Sequence, residues 1–227
     1  MGILVLSCGR TGTNMLLEIM RGSSKLTATQ VAEHKQLFRS CPKLPDDYLS
    51  KCDTCYIDNL LQVKKVLDKN ENLKILWTIR DLRDCALSKI YRGQPGNDCH
   101  ELADDASFKG CLQDIERMKQ IYDFIKAKYP ERILLVKMED IISNFEDTML
   151  NVSTFSEVPY EKAMKDFINR YRVTHKAKRY KTLDKNQIAL YKRRYKIYNS
   201  FYEHYDIDLD LLFEKLEKYL REFKYEI

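Results

Sequence analysis

The feature that most constrains this chain lies at its start. Gly2–Ser7 reads GILVLS, an apolar run without the alternation expected of a half-exposed strand. Such a run fits a strand buried on both faces, as in the middle of a parallel sheet. Cys8-Gly9-Arg10-Thr11-Gly12-Thr13-Asn14 follows. Thr13–Arg21 then reads as a helix, with Met15, Leu16, Ile19 and Met20 on one broad apolar face. A doubly buried strand feeding a glycine-bearing loop and an amphipathic helix requires a sheet covered by helices.

The remaining patterns agree. Leu73–Ile79 (LKILWTI) and Arg132–Lys137 (RILLVK) predict further buried strands, and shorter strands are expected at Leu26–Val31 and Cys55–Ile57. Helices are predicted over Leu60–Leu67, Asp84–Tyr91, Phe108–Tyr129, Asn144–Phe155, Tyr160–Tyr171 and Leu209–Phe223. Asp184-Lys-Asn-Gln187 resembles a capping box, opening a helix whose Ile188, Tyr191, Tyr195, Tyr198 and Tyr202 recur at core spacing. Arg92–Ser107, with Gly93, Pro95, Gly96 and Asn97, reads as a long loop of the kind that covers active sites. The alternation predicts an α/β fold of three layers, a mostly parallel central sheet flanked by helices, with a helical C-terminal region. No composition shift divides the 227 residues, so 1–227 is expected to be a single domain.

Charge and cysteine usage bound the function. A net charge of +5 suits an anionic ligand but is too small to argue for nucleic acid. Seven cysteines are scattered through the chain, the apolar start is too short for a signal peptide, and no apolar run has the length of a membrane span. These features predict a cytoplasmic protein with reduced thiols. Cys52-x-x-Cys55 has metal-ligand spacing but no matching second pair, so no metal site is expected.

The chemistry starts at Ser7–Asn14. The first amides of a helix have no intrahelical partner and the helix dipole is positive there, so an anion is favoured. Gly9 and Gly12 let the backbone curl and approach a ligand closely, Arg10 adds a fixed cation, and Thr11 and Thr13 add hydroxyl donors. A nucleoside-triphosphate loop would continue from its last glycine into Lys and Ser or Thr. Thr13 and Asn14 stand there instead. An ordinary strand-to-helix turn with two glycines also fits this segment alone. A second element is Trp77-Thr-Ile-Arg80, a strand ending in arginine, with Ser88 eight residues later in the next helix. Both positions can reach the carboxyl edge of the sheet, where ligands of open α/β folds bind.

Together these segments resemble the PAPS-dependent sulfotransferase family. Arg10-Thr11-Gly12-Thr13 is similar to its [KR]-[ST]-G-[TS] loop, Arg80 and Ser88 to its strand-end arginine and following serine, and Lys137-Met138-Glu139-Asp140-Ile141 to its Y-E-D-L segment with Met138 in the aromatic position. His175-Lys176-Ala-Lys178-Arg179-Tyr180 resembles its basic loop. The resemblance implies a P-loop NTPase-like fold that uses PAPS and releases PAP. It implies that Gly9–Asn14 bind the 5′-phosphosulfate and that Arg80 and Ser88 bind the 3′-phosphate. Lys178 and Arg179 would close over that phosphate and Tyr180 would pack on the adenine.

Arg10 is then the catalytic cation. The resemblance, whose members carry a Glu or His shortly downstream of the anion loop, implies Glu33 as the first candidate for the base that deprotonates a hydroxyl or, less favoured, amine acceptor, and His34, with its near-neutral ordinary pKa, as the second; Asp58 is a weaker one. A carbohydrate or small-molecule acceptor is expected, with Arg92–Ser107 and Phe38–Asp53 as its walls. A magnesium-dependent P-loop kinase and a non-catalytic nucleotide-binding relative are the alternatives.

Overall fold

The structure, a computed structural model, describes residues 2–28, 34–92, 108–167 and 209–226. Five parallel strands form one sheet: β1 (Gly2–Ser7), β2 (Thr27–Ala28), β3 (Tyr48–Asp53), β4 (Leu73–Ile79) and β5 (Ile133–Lys137). Their order is β2-β3-β1-β4-β5. β1 is central and all six of its residues are buried, which is why GILVLS does not alternate.

The two faces of β1 feed two cores. Leu4 and Leu6 join Ile75, Trp77 and Ile79 beneath α3 (Leu60–Lys69), α5 (Phe108–Lys128) and α9 (Leu209–Glu222). Trp77 lies 5.4 Å from Tyr122, and Tyr122 lies 5.3 Å from Phe223, so tilted aromatic contacts run from β4 through α5 to α9. Ile3 and Val5 join Leu49 and Leu76 beneath α1 (Thr13–Met20), α6 (Met138–Ser143), α7 (Phe145–Ser156) and α8 (Lys162–Lys165). At Gly22, just past α1, a Cβ would lie 2.5 Å from the Met164 nitrogen, so only glycine lets α8 dock there.

One of the predicted strands is corrected. Cys55–Ile57 is not a strand: Thr54–Tyr56 is a 3₁₀ turn, because the Asp53 carboxylate accepts the Cys55 N–H at 3.1 Å and ends β3. The strand precedes it: Phe38 is fully buried in α2 (Leu37–Ser40), and Tyr48–Asp53 is a sheet strand. The strand expected at Leu26–Val31 is present as β2, Thr27–Ala28, and residues 29–31 lie outside the described residues. The expected loop Arg92–Ser107, apart from Arg92 itself, and the capped helix from Asp184 lie outside them.

The strand order positions the site. From β1 the chain moves out to β2 and back to β3 on one side, then crosses to β4 on the other. The connections diverge above the gap between β1 and β4, the topological switch point where open α/β sheets bind ligands.

Candidate functional site

Two turns flank that gap. The first is Cys8–Gly12, between β1 and α1. Arg10 has φ 77° and Gly12 has φ 96°, so the loop makes two left-handed bends within three residues. For Arg10 that conformation costs about 1 kcal/mol, a strain typical of ligand-binding turns. A Cβ at Gly12 would come within 3.2 Å of the Met138 side chain, which packs the loop from the start of α6.

The Thr11 hydroxyl turns inward, contrary to its expected role as a ligand donor. It donates to the Cys8 carbonyl at 2.8 Å and, having one proton, accepts from the Thr78 hydroxyl at 2.9 Å. The loop is thereby tied to β4. Thr13 is buried, and Asn14 is exposed in the first turn of α1. Among the described residues no side chain caps α1. Its first-turn amides are thus left to other acceptors.

The second turn joins β4 to α4 (Leu82–Arg92). Arg80 leaves β4 and forms an ion pair with Asp84, one turn into α4; both side chains are largely buried, at 16% and 7% exposure. The carboxylate orients the guanidinium. Ser88 occupies α4 one turn beyond Asp84. The Cys85 thiol approaches the Arg10 carbonyl at 3.6 Å, so α4 also touches the first turn.

A charged group lies beneath the loop. Lys89 on α4 forms an ion pair with Asp114 on α5, each side chain only 9% exposed. Burial alone would lower the Lys89 pKa, but the acidic groups around it, among them the Asp114 and Asp53 carboxylates, outweigh it and hold the ammonium above its ordinary value. Burial pushes the Cys8 thiol up to about 12, so it is neutral at physiological pH.

The proposed base residues separate. Glu33 lies outside the described residues. His34 hydrogen-bonds through Nδ1 to the Tyr48 hydroxyl at 2.9 Å, and burial lowers its pKa. Asp58 is engaged by Arg39 at 3.2 Å and by Gln62 at 3.1 Å. Lys178, Arg179 and Tyr180 lie outside the described residues.

The structure adds residues that pattern reading missed. Asp53 ends β3 directly opposite Ser7, and its Oδ2 would be 2.9 Å from a Cβ at Gly9. This places a carboxylate beside the anion loop at the carboxyl edge. Asp84 carried a usable signal, its spacing of four from Arg80; Asp53 and Lys89 carried none without the register. Among the described residues no cluster of His, Cys, Asp or Glu could hold a metal ion. Among them, too, no helix is long and apolar enough to cross a membrane.

The sulfotransferase domain family matches residues 2–197. The chain belongs to this family. The membership supports sulfotransferase activity, and solved members carry the same fold. A sulfotransferase from Mycobacterium avium superposes with a TM-score of 0.57 at 9% identity, over 100% of this chain and 77% of its own. The sulfotransferase domain of the Synechococcus PCC 7002 olefin synthase gives 0.53 at 13% identity, over 81% and 84%. A mouse sulfotransferase in complex with PAP gives 0.51 at 14% identity, over 74% of this chain and 63% of that one. This chain therefore covers less than two thirds of the mouse enzyme. No curated protein matches by sequence. The structural likenesses speak for fold; the membership rests on the family match.

Proposed function

We propose that this sulfotransferase domain transfers the sulfuryl group of PAPS to a hydroxyl acceptor, a carbohydrate or small molecule. The reading rests chiefly on two cationic turns, one after β1 and one after β4, flanking the switch-point gap. Two such turns suit a ligand with two separated phosphates. The loop's lack of a Lys after Gly12 disfavours a nucleoside triphosphate.

In this reading the backbone amides of Thr11–Asn14 and the Arg10 guanidinium hold the 5′-phosphate end. Arg80 and Ser88 hold the 3′-phosphate, with Lys178, Arg179 and Tyr180 contributing from the basic segment. The acceptor oxygen bonds to sulfur as the bond from sulfur to the phosphate oxygen breaks. The electron pair leaves on that oxygen, where Arg10 stabilises the growing charge. The acceptor proton goes to a carboxylate or imidazole. Glu33 and His34 are candidates from the sequence, and Asp53 is added by its place beside Gly9.

Calorimetry tests the donor. PAP is expected to bind without metal and more tightly than ATP with magnesium. The reverse order would replace this reading with the kinase. Arg80→Ala should weaken PAP binding about tenfold or more, the loss of a charge-assisted hydrogen bond, while leaving 5′-AMP binding unchanged. Arg10→Ala should lower turnover by roughly 10²-fold or more at unchanged thermal stability. Glu33→Gln, His34→Asn and Asp53→Asn then separate the base candidates by turnover.

A further inference from the structure

The segment after α9 fastens onto the turn that carries Arg80. Lys224, at φ 57°, turns the chain off the helix, and the Tyr225 N–H closes that turn on the Leu220 carbonyl at 2.9 Å. Tyr225 then donates its hydroxyl to Glu139 Oε2 at 2.9 Å. The other oxygen of the same carboxylate, Oε1, accepts the Asp81 N–H at 2.8 Å. Lys137 donates to the Lys224 carbonyl at 3.0 Å, with its ammonium 4.4 Å from the centre of the Tyr225 ring. Arg83 grips the Asp81 carboxylate, with Nη2 2.7 Å from Oδ2, and the same Nη2 donates to the Glu226 carbonyl at 2.9 Å.

These contacts converge on one peptide unit. Its N–H belongs to Asp81 and is held by Glu139. Its carbonyl belongs to Arg80 and is approached by the Cys85 thiol at 3.9 Å. The orientation of that peptide fixes ψ of Arg80, and so the direction in which Arg80 leaves the strand. Asp84 then fixes the far end of the side chain. Burial, with Glu139 beside it, raises the Tyr225 pKa far above the ordinary phenol range, so its proton stays in the bond to the carboxylate.

We infer that Lys224–Glu226 is a strap that sets the position of Arg80, with Glu139 and Tyr225 as positioning residues for recognition of the 3′-phosphate. This rests on the reading of Arg80 as a 3′-phosphate contact. A strap that merely stabilises the fold would affect all nucleotide binding alike. A strap acting through Arg80 affects only the part of the affinity that the 3′-phosphate contributes. PAP and 5′-AMP differ by that group, so the ratio of their dissociation constants isolates it.

The test measures both constants by calorimetry, with thermal midpoints, for the wild type, Tyr225→Phe, Glu139→Ala and Glu139→Gln. Tyr225→Phe keeps the ring over Lys137 and removes only the hydroxyl, so it carries the test even if Glu139→Ala does not fold. The preference for PAP over AMP is expected to fall about five- to tenfold in Tyr225→Phe and Glu139→Ala, within the usual range of coupling between sites. Glu139→Gln retains an acceptor for the Asp81 N–H and should restore most of it. Equal weakening of PAP and AMP, or an unchanged ratio, would overturn the strap. A wild type that does not distinguish PAP from AMP would reject the 3′-phosphate role of Arg80 and the strap with it.

Discussion

Replacing Thr11 by valine keeps the shape of the side chain and removes the bond that ties the anion loop to β4. Thr11 is fully buried and Thr78 is 1% exposed. The hydroxyls form a relay in which Thr78 donates to Thr11 and Thr11 donates to the Cys8 carbonyl. Thr11→Val breaks both bonds and strands two buried polar groups. At about 1 kcal/mol for each bond, plus a share of the desolvation penalty, the loss should be about 2–3 kcal/mol. Thr78→Val breaks one bond and leaves Thr11 donating to Cys8, so about 1 kcal/mol is expected. The double variant has no stranded Thr78 hydroxyl left to desolvate. Its cost should stay near that of Thr11→Val alone, which implies a coupling of about 1 kcal/mol. Urea denaturation of the four proteins measures this cycle, with an unchanged slope showing that the unfolded state is comparable. Additivity to within about 0.5 kcal/mol would refute the relay.

Lys89→Met leaves Asp114 buried without its cation and should destabilise the protein by about 3–5 kcal/mol, whereas adding Asp114→Leu should recover most of the loss; urea midpoints that fail to recover would contradict the pair. Gly22→Ala forces a methyl into the Met164 backbone and should cost about 1–3 kcal/mol, read as a lowered thermal midpoint; a neutral result would mean α8 does not dock so closely on α1. Burial holds the His34 pKa below its ordinary 6.5 in the folded state, so the unfolded chain binds the proton more readily. The stability this represents is present above pH 6.5 and declines as the pH falls below it, and His34→Gln should flatten that decline; parallel stability curves for the two proteins would count against it.

What the sequence disclosed divides along a physical line. β1, β4 and the loop between β1 and α1 were legible because their signals are local: an unalternating apolar run means burial on both faces, and glycines after a strand mean a tight turn. Arg80 was legible for the same reason, since it ends such a run. Cys55–Ile57 is too short for a periodic pattern to separate a strand from a turn; the Asp53 side chain decides by capping the next turn. The partners that shape the site are distant in sequence. Lys89 meets Asp114 across 25 residues, and Tyr225 meets Glu139 across 86. A periodic pattern can place each of these residues on a face, but it cannot say which residue on another element lies opposite. That follows from register. Once Ser7 stands opposite Asp53, the carboxylate is beside the anion loop, and a residue that read only as the end of an expected acceptor wall becomes a candidate to take the acceptor's proton.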